Sequence, residues 1–371
     1  MQCVQMDGSP AAVARLVDAV RKALDGGPPV LPVGPTTVPQ ASAEPPDGTA
    51  VVVATTGSTG EPKLVALPAA ALRASATTTA ARLGGPGRWL LALPAEHVAG
   101  VQVIVRALLA GSEPVVQDVR VGFRPDDFAA ASRALGAGRR YTSLVPTQLG
   151  RVLDAGGAAL RGFDAVLVGG AALDPALRRQ AQEAGVRVVT TYGMTETAGG
   201  CVYDGVPLDG VRVELDPDGR IRLGGATLAS GYLGRPDDPA FAGGWFRTGD
   251  LGRWRDGRLE VLGRADDVIV TGGEKVAPAA VERVLAAQPG VRAACVVGLP
   301  DPQWGQLVGA AVQADPAEPA VRDWQAAVRA ELGRAAVPRA VVVVAELPLR
   351  GIGKPDRAAV VALLTASELR G

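Results

Sequence analysis

The segment Thr55–Lys63 brings two glycines, four hydroxyl side chains and one lysine together within nine residues, at the end of the β-branched run Thr49–Thr55. Glycines let a loop curl so that its amides point at anionic oxygens, while hydroxyls add donors and a lysine adds a point charge. This composition predicts a triphosphate site, and the competing interpretation is a plain surface turn. The predicted phosphate ligands are Thr55, Thr56, Gly57, Ser58, Thr59, Gly60 and Lys63.

The charge balance and the cysteines restrict the class of protein. Lys+Arg and Asp+Glu both number 38, so the formal net charge is zero. This argues against nucleic acid as a partner, because phosphate backbones require a surplus of positive charge. Three scattered cysteines show neither metal-ligand nor disulfide spacing. With no pattern of a signal peptide or membrane span, we expect a cytoplasmic protein that does not insert into membranes.

The elements that position the loop alternate in type. An amphipathic helix is predicted over residues 10–25, and Pro28–Gly48 is interpreted as a connector without periodicity. Beyond it, strands and helices alternate, which predicts parallel sheets covered by helices. The predicted strands are Thr49–Thr55, Trp89–Leu93, Tyr141–Val145, Ala165–Val168 and Val186–Thr191. The predicted helices are Val101–Ala110, Phe128–Leu135 and Pro175–Ala184.

The last third of the chain changes character twice. Val211–Leu262 contains short strands separated by turns, and a β-α-β-β-α-β pattern follows Gly263–Asp266. The predicted fold class is α/β (α+β overall), with a large N-terminal domain of helix-covered sheets plus a β-rich subdomain, and a small mobile C-terminal α+β domain. The predicted boundaries are 1–48 for an N-terminal helix and linker, 49–263 for the large domain, 264–266 for a hinge and 267–371 for the small domain.

Six segments resemble, in order, the motifs of the adenylate-forming superfamily of acyl-CoA synthetases, adenylation domains and luciferases. The phosphate loop is the first, and the resemblance spans roughly residues 49–371. It implies an enzyme that uses ATP and Mg²⁺ to activate a small-molecule carboxylic acid. The other five segments are Val168–Ala172, Thr191–Thr197, Trp245–Leu251, Gly263–Ile269 and Pro348–Arg357.

The resemblance implies a role for each candidate residue. Thr195 and Glu196 are implied to be catalytic, and Glu196 is also the implied Mg²⁺ ligand, although a loop acid alone is commonly just solvated. His97, the only histidine, is implied to border the acyl pocket, against the alternative of a structural histidine. Lys354 is the implied catalytic lysine, in a chain that contains only four lysines. The implied nucleotide ligands are Gly169, Gly170, Ala171, Tyr192, Gly193, Asp250 and Arg264.

Acyl-CoA synthetases of the superfamily catalyse two successive reactions, adenylation of the acid and then attack by the thiol of CoA. One rigid site would serve both reactions poorly. Adenylation brings a carboxylate to an anionic α-phosphate, so neutralisation of charge by Mg²⁺, Lys63 and Lys354 is the main task. In the superfamily the C-terminal domain then rotates, which implies that Asp266 is the hinge and that Gly272 and Gly273 form the face presented to CoA.

The short N-terminal region and the wording of the motifs closely resemble actinobacterial o-succinylbenzoate–CoA ligases of menaquinone biosynthesis. This implies ATP, CoA and 2-succinylbenzoate as substrates. The alternatives are a CoA ligase for another acid, a stand-alone amino-acid adenylation domain and a non-catalytic nucleotide-binding relative. A homo-oligomer is neither indicated nor excluded. The residues alone do not choose among five candidates for the substrate's second carboxylate, namely Arg106, Arg140, His97, Ser143 and Thr147.

Overall fold

The computed structural model describes residues 1–35, 43–56, 62–314, 320–350 and 354–368. Within these ranges, two 3-10 turns cover Ala158–Leu160 and Thr195–Thr197. The helices of the described residues are α1 (Pro10–Leu24), α2 (Ala69–Leu83), α3 (Val98–Leu109), α4 (Pro125–Arg133), α5 (Pro146–Asp154), α6 (Pro175–Glu183), α7 (Pro278–Ala286), α8 (Val321–Leu332) and α9 (Arg357–Glu368).

The strands of the described residues form five sheets. The first eleven are β1 (Gln2–Gln5), β2 (Val30–Val33), β3 (Thr49–Thr56), β4 (Pro62–Pro68), β5 (Arg88–Leu91), β6 (Val115–Val116), β7 (Arg140–Leu144), β8 (Ala165–Val168), β9 (Val188–Met194), β10 (Gly199–Tyr203) and β11 (Val206–Pro207). The next six are β12 (Val211–Leu215), β13 (Arg220–Gly225), β14 (Gly231–Tyr232), β15 (Phe241–Ala242), β16 (Trp245–Arg255) and β17 (Arg258–Arg264). The last seven are β18 (Ile269–Thr271), β19 (Glu274–Val276), β20 (Ala293–Asp301), β21 (Gly305–Gln313), β22 (Ala340–Val344), β23 (Leu349–Arg350) and β24 (Lys354–Pro355).

The first compact unit contains Met1–Leu173, Leu177–Glu214 and Arg222–Thr248. One of its sheets has the order β1-β2-β3-β4-β14, in which β1, β2 and β3 run parallel. The interpretation of Pro28–Gly48 as a connector without periodicity was therefore wrong for Val30–Val33, which form a fully buried strand. Its four residues are too short for a periodic signal, and Pro32 argues against a strand in sequence terms.

The second sheet of this unit has the order β11-β10-β9-β8-β7-β5-β6, and its strands from β9 to β6 are parallel. The predicted strands at Trp89, Tyr141, Ala165 and Val186 are confirmed, each within a few residues. Parallel strands place their carboxyl ends along one edge, where ligands of open α/β sheets bind. The segments that follow β5, β7, β8 and β9 therefore share that edge.

The predicted β-rich segment is confirmed as a sheet with the order β12-β13-β16-β15, and β17 pairs with β16. The second compact unit contains Asp174–Ala176, Leu215–Ile221 and Gly249–Gly371. Its main sheet has the order β19-β18-β21-β20, with β22 parallel to β21. Helices α7 and α8 pack on one core cluster, which contains Val281, Val284, Trp324 and Val328. Helix α9 was not predicted, and it packs on a separate cluster through Val360 and Leu364.

None of the helices in the described part of the chain combines the length and the apolar character needed to cross a membrane.

The three cysteines differ in exposure, which leads to a prediction. Cys3 is exposed, whereas Cys201 and Cys295 are buried. Burial raises the pKa of each buried thiol to about 12, so both stay protonated and unreactive. We expect a disulfide reagent at pH 8 to modify one thiol per native chain rapidly and the other two only in denaturant. Cys3→Ser should remove the fast phase, and a persistent fast phase would contradict the burial of Cys201 and Cys295.

Candidate nucleotide and acyl site

The carboxyl end of β8 is closely packed against β9. Thr191 donates its hydroxyl to the carbonyl of Val168 at 3.4 Å, and Gly169 follows immediately. A Cβ added at Gly169 would lie 2.3 Å from Thr191 Oγ1, so this position admits no larger residue without a shift. Gly170 adopts a φ of 80°, a conformation that favours glycine, and Ala171 is exposed beside it. Three of the predicted nucleotide ligands, Gly169, Gly170 and Ala171, thus follow β8 at the ligand edge of the sheet.

The segment Tyr192–Glu196 runs from the end of β9 into the 3-10 turn Thr195–Thr197. Tyr192 is half-buried and Thr195 is buried. A Cβ at Gly193 would lie 2.2 Å from the carbonyl oxygen of Gly199, so the backbone of β10 approaches at a distance that only glycine allows. The turn is closed by its own side chains, because the hydroxyl of Thr197 accepts from the amide of Met194 at 3.0 Å.

Two oppositely charged candidates meet at one tyrosine. The hydroxyl of Tyr232 donates to Glu196 Oε1 at 2.7 Å. Lys63 Nζ lies 4.3 Å from the centroid of the same ring. Thr55 pairs with Lys63 across β3 and β4 and donates its hydroxyl to the carbonyl of Lys63 at 3.3 Å. The backbone of Thr56 belongs to β3, its side chain lies outside the description, and Gly57, Ser58, Thr59 and Gly60 lie outside the described residues.

The donor set fits a magnesium ion that binds together with nucleotide phosphates. Magnesium typically takes one or two protein carboxylates and completes its shell with phosphate and water oxygens. Glu196 could supply one carboxylate, and its Oε1 accepts a hydrogen bond from the phenol of Tyr232. Burial, and then the nearby Glu196, raise the pKa of Tyr232, so the phenol remains a donor. Within the described ranges, no group of three or more His, Cys, Asp or Glu could hold a metal by itself.

Helix α3 carries a buried cation, Arg106. Arg106 is 7% exposed and donates from Nη2 to the hydroxyl of Tyr203 at 3.2 Å, with its guanidinium carbon 5.1 Å from the ring centroid of Trp89. Among the described residues, its Nε has no hydrogen-bond partner and no carboxylate forms an ion pair with its guanidinium. Burial lowers the pKa of Arg106. One turn earlier, Gln102 donates to the carbonyl of Ala198 at 2.8 Å, which fixes this face of α3 to the chain just after Thr197.

The other candidates for the second carboxylate are placed less favourably. His97 is exposed and precedes the first residue of α3. Arg140 uses its Nε to bind the carbonyl of Gly136 at 2.8 Å. Ser143 is buried in β7, and Thr147 is exposed in α5. Arg106 alone combines a positive charge, burial and an unused donor.

In the second compact unit, two of the predicted nucleotide ligands, Asp250 and Arg264, lie side by side. Asp250 and Arg264 pair across β16 and β17, and Arg264 Nη1 lies 3.7 Å from Asp250 Oδ1. The side chain of Asp250 is 15% exposed. A Cβ at Gly249 would lie 2.6 Å from Arg264 Nη2, so this glycine makes room for the guanidinium. Arg264 also lies 3.6 Å from Asp266, the predicted hinge residue, whose side chain is exposed.

Gly272 and Gly273 form the turn between β18 and β19, with φ values of 57° and 84°. A Cβ at Gly272 would lie 2.7 Å from the ring of Trp304, and the guanidinium carbon of Arg339 lies 4.7 Å from the centroid of the same indole. Trp304 therefore covers one side of the turn, and the predicted CoA face is a glycine turn beside an aromatic ring and a cation.

Lys354 lies on β24, whose backbone pairs with β23, and its side chain lies outside the description. Three residues later, Arg357 makes a dense set of contacts. Its Nη2 lies 3.0 Å from Glu282 Oε1 and its Nε lies 3.2 Å from Asp267 Oδ2, while Nη1 donates to the carbonyl of Val296. Burial raises the pKa of Glu282, and Arg357 opposes that rise. The chain just after Lys354 is thereby tied to α7, to β20 and to the residue that follows the predicted hinge.

Comparison with protein families shows to which family the chain belongs. The profile of the AMP-binding enzyme matches residues 2–233, and that of the AMP-binding enzyme C-terminal domain matches residues 280–354. The chain belongs to the AMP-binding enzyme family. This confirms the resemblance on which the motif assignments were based.

The proteins that this AMP-binding enzyme resembles include a CoA ligase, a CoA synthetase and an amide bond synthetase. The chain is 47% identical over 365 residues to a probable 2-succinylbenzoate–CoA ligase of Mycobacterium tuberculosis, and the match covers 95% of each chain. It superposes on o-succinylbenzoate CoA synthetase from Bacillus subtilis in complex with the acyl-adenylate intermediate with a TM-score of 0.74, 26% identity and coverage of 88% and 73%. It also superposes on amide bond synthetase McbA from Marinactinospora thermotolerans with a TM-score of 0.76, 31% identity and coverage of 95% and 78%.

Sequence reasoning missed two residues of this AMP-binding enzyme. Tyr232 lies 36 residues from Glu196 in the chain, and only the pairing of β14 with β4 brings it to Lys63. Arg357 was known only as the last residue of the motif Pro348–Arg357. Its partners in α7 and β20 could not be predicted, because tertiary packing brings them to it. The available signal was a tyrosine between two glycines, Gly231 and Gly234, which by itself indicates only a turn.

Proposed function

We propose that this chain is an AMP-forming ligase that joins 2-succinylbenzoate to CoA in two steps. The carboxylate oxygen attacks the α-phosphorus of ATP, the bond to the β-phosphate breaks, and pyrophosphate leaves. The sulfur of CoA then attacks the acyl carbon, the bond to the phosphate oxygen breaks, and AMP leaves. The 47% identity to the mycobacterial relative over 95% of each chain supports this reaction.

One observation carries the choice of substrate. Arg106 is a buried guanidinium with an unused Nε, and no carboxylate of the described residues pairs with it. A buried cation without an anion is costly, because desolvation is not repaid by an ion pair. A dicarboxylic acid would supply the missing anion when it binds. This supports a substrate with a second carboxylate, such as 2-succinylbenzoate, over a fatty acid.

The remaining residues have proposed roles in holding the reactants. Glu196 would hold Mg²⁺, which when bound draws negative charge from the phosphates and the developing transition state. Lys63 would bind phosphate oxygens, Lys354 would bridge the carboxylate and the α-phosphate, and Asp250 would accept from the ribose hydroxyls beside Arg264. The residues proposed to bind adenine are Gly169, Gly170, Ala171, Tyr192 and Gly193. Thr195 would contact the α-phosphate and His97 would border the acyl pocket. Asp266 would be the hinge, and Gly272 and Gly273 would form the face presented to CoA.

A panel of acids tests the proposal. The protein is incubated with ATP, Mg²⁺, CoA and either 2-succinylbenzoate, benzoate, a short fatty acid or an amino acid, and AMP and thioester are followed by mass spectrometry. We expect AMP and thioester with 2-succinylbenzoate and little product with the monocarboxylates. AMP and thioester with another acid would keep the class of reaction and overturn the substrate.

A second candidate function has support from the structural match to an amide bond synthetase. The match to amide bond synthetase McbA favours a reaction in which an amine, not CoA, receives the acyl group. Adding an amine to the panel in place of CoA separates the two. An acyl-adenylate that yields amide but no thioester would select the amide synthetase.

A further inference from the structure

Tyr232 contacts both charged candidates of the phosphate site. Its hydroxyl is 2.7 Å from Glu196 Oε1, and its ring centroid is 4.3 Å from Lys63 Nζ. Tyr232 is 7% exposed, so these contacts form at a largely desolvated position. Neither the sequence motifs nor the roles proposed above assign this residue.

The backbone around Tyr232 is fixed to both partners. Strand β14 pairs with β4, the strand that begins next to Lys63, and Tyr232 faces Val65 in this pairing. The amide of Leu233 donates to the carbonyl of Leu64 at 2.8 Å. On the other side, the amide of Ala229 donates to the carbonyl of Glu196 at 2.9 Å. The segment 229–233 therefore joins the strand after the phosphate loop to the turn that bears Glu196.

The ring of Tyr232 is held independently of its hydroxyl. Phe241 packs edge-on at 5.2 Å between ring centroids, and Phe241 in turn contacts Phe246 at 4.8 Å. The substitution Tyr232→Phe would keep this packing and would keep the ring face that contacts Lys63. The hydroxyl is thus a separable part of the contact, which makes its function testable.

Electrostatics explains what such a residue would do. An ammonium and a carboxylate that share a partly desolvated site attract each other strongly and tend to form an ion pair. Within the described residues, Lys63 and Glu196 form no such pair within 4.0 Å, although both contact the same ring. The ring face attracts the ammonium and the hydroxyl binds the carboxylate, so each charge is held without neutralising the other.

We propose that Tyr232 is a positioning residue that keeps Glu196 and Lys63 apart and oriented, so that the carboxylate is ready for the metal and the ammonium for the phosphates of bound ATP. This inference rests on the proposed adenylating function. The inference goes beyond that function because it assigns the arrangement of Glu196 and Lys63 to the phenol of Tyr232. Tyr232 contacts neither reactant in this scheme, and it acts only through its two partners.

The test measures binding instead of turnover. Mn²⁺ binding in the presence of a non-hydrolysable ATP analogue is followed by electron paramagnetic resonance, and analogue binding without metal is followed by calorimetry. Tyr232→Phe removes a hydrogen bond to a charged group, so we expect about tenfold weaker Mn²⁺ binding and unchanged binding of the metal-free analogue. Tyr232→Leu also removes the ring, so we expect the metal-free analogue to bind more weakly as well.

A matched control is Tyr141→Phe. Tyr141 is fully buried and donates to the carbonyl of Gly85 at 3.1 Å, and its ring contacts Trp89 instead of Lys63 or Glu196. It should leave Mn²⁺ binding unchanged, whereas Tyr232→Phe should not. Wild-type Mn²⁺ affinity in Tyr232→Phe would overturn the inference, and so would equal metal-free binding by Tyr232→Phe and Tyr232→Leu. Because no acid is present, a wrong substrate assignment would leave these outcomes unchanged and would fail in the acid panel alone.

Discussion

Lys354→Ala is expected to lower the rate of acid-dependent adenylate formation by about 10²- to 10³-fold. The reason is that one preorganised cation facing the growing charge of a transition state has about this effect in enzymes. Pyrophosphate exchange into ATP, with 2-succinylbenzoate as the acid, measures this step directly. The second step should be retained when acyl-adenylate and CoA are supplied, because the thiol attack does not require the lysine that neutralises the α-phosphate.

The described residues next to Lys354 have fixed backbone partners. The backbone of β24 pairs with β23, and the amide of Asp356 donates to the carbonyl of Pro348 at 2.8 Å. Arg357 then secures the following turn through Glu282 and Asp267. A lysine between two such attachments can reach a fixed place in the active arrangement and leave it when the whole segment moves.

A matched control for Lys354→Ala is available in Lys22→Ala. Lys22 is an exposed residue in the last turn of α1, so its loss should change neither half-reaction. Retention of pyrophosphate exchange by Lys354→Ala would contradict the catalytic role. Equal loss of both half-reactions would instead indicate a folding defect, which thermal melting would reveal.

Local motifs could be predicted from the sequence because their chemistry is contained within a few residues. Thr191–Thr197 combines a tyrosine, a glycine and an acid in a row, and in the structure these residues do follow one strand into one turn. The parallel strands were likewise predictable, since buried runs such as Ala165–Val168 are short, apolar and flanked by turns. The confirmed fold class depends on such local signals.

Contacts between distant segments could not be predicted in the same way. Tyr232 meets Lys63 because β14 pairs with β4, and no periodicity in either short strand specifies that partner. Strand β2 was missed because four apolar residues containing a proline carry no signal that separates a buried strand from a loop. Arg106 was one of five candidates, and only burial and the unused Nε distinguish it.

Arg106→Met is expected to lower kcat/KM for 2-succinylbenzoate by about 10²-fold. A charge-assisted contact between a guanidinium and a carboxylate contributes about 1.5–3 kcal/mol, which corresponds to roughly one to two powers of ten. The loss should appear mainly in KM for the acid, whereas KM for ATP should stay unchanged. Arg106→Lys keeps the charge without the planar fork, so we expect an intermediate loss.

The fold should tolerate Arg106→Met. Replacing a buried, unpaired cation by an apolar side chain of similar length removes a desolvation cost. The hydroxyl of Tyr203 retains Thr79 as a partner at 2.9 Å, so no buried polar group is newly isolated. The melting temperature should therefore be equal to or higher than that of the wild type, which separates loss of recognition from loss of structure.

Arg140→Met is the matched control for this prediction. Arg140 was also a candidate for the second carboxylate, but its Nε is already bound to the carbonyl of Gly136. Its replacement should leave KM for 2-succinylbenzoate unchanged. The reverse pattern, with a raised KM in Arg140→Met and a normal KM in Arg106→Met, would move recognition of the second carboxylate to the surface near β7. In that case the buried charge of Arg106 would need a structural explanation, because neither catalysis nor substrate binding would use it.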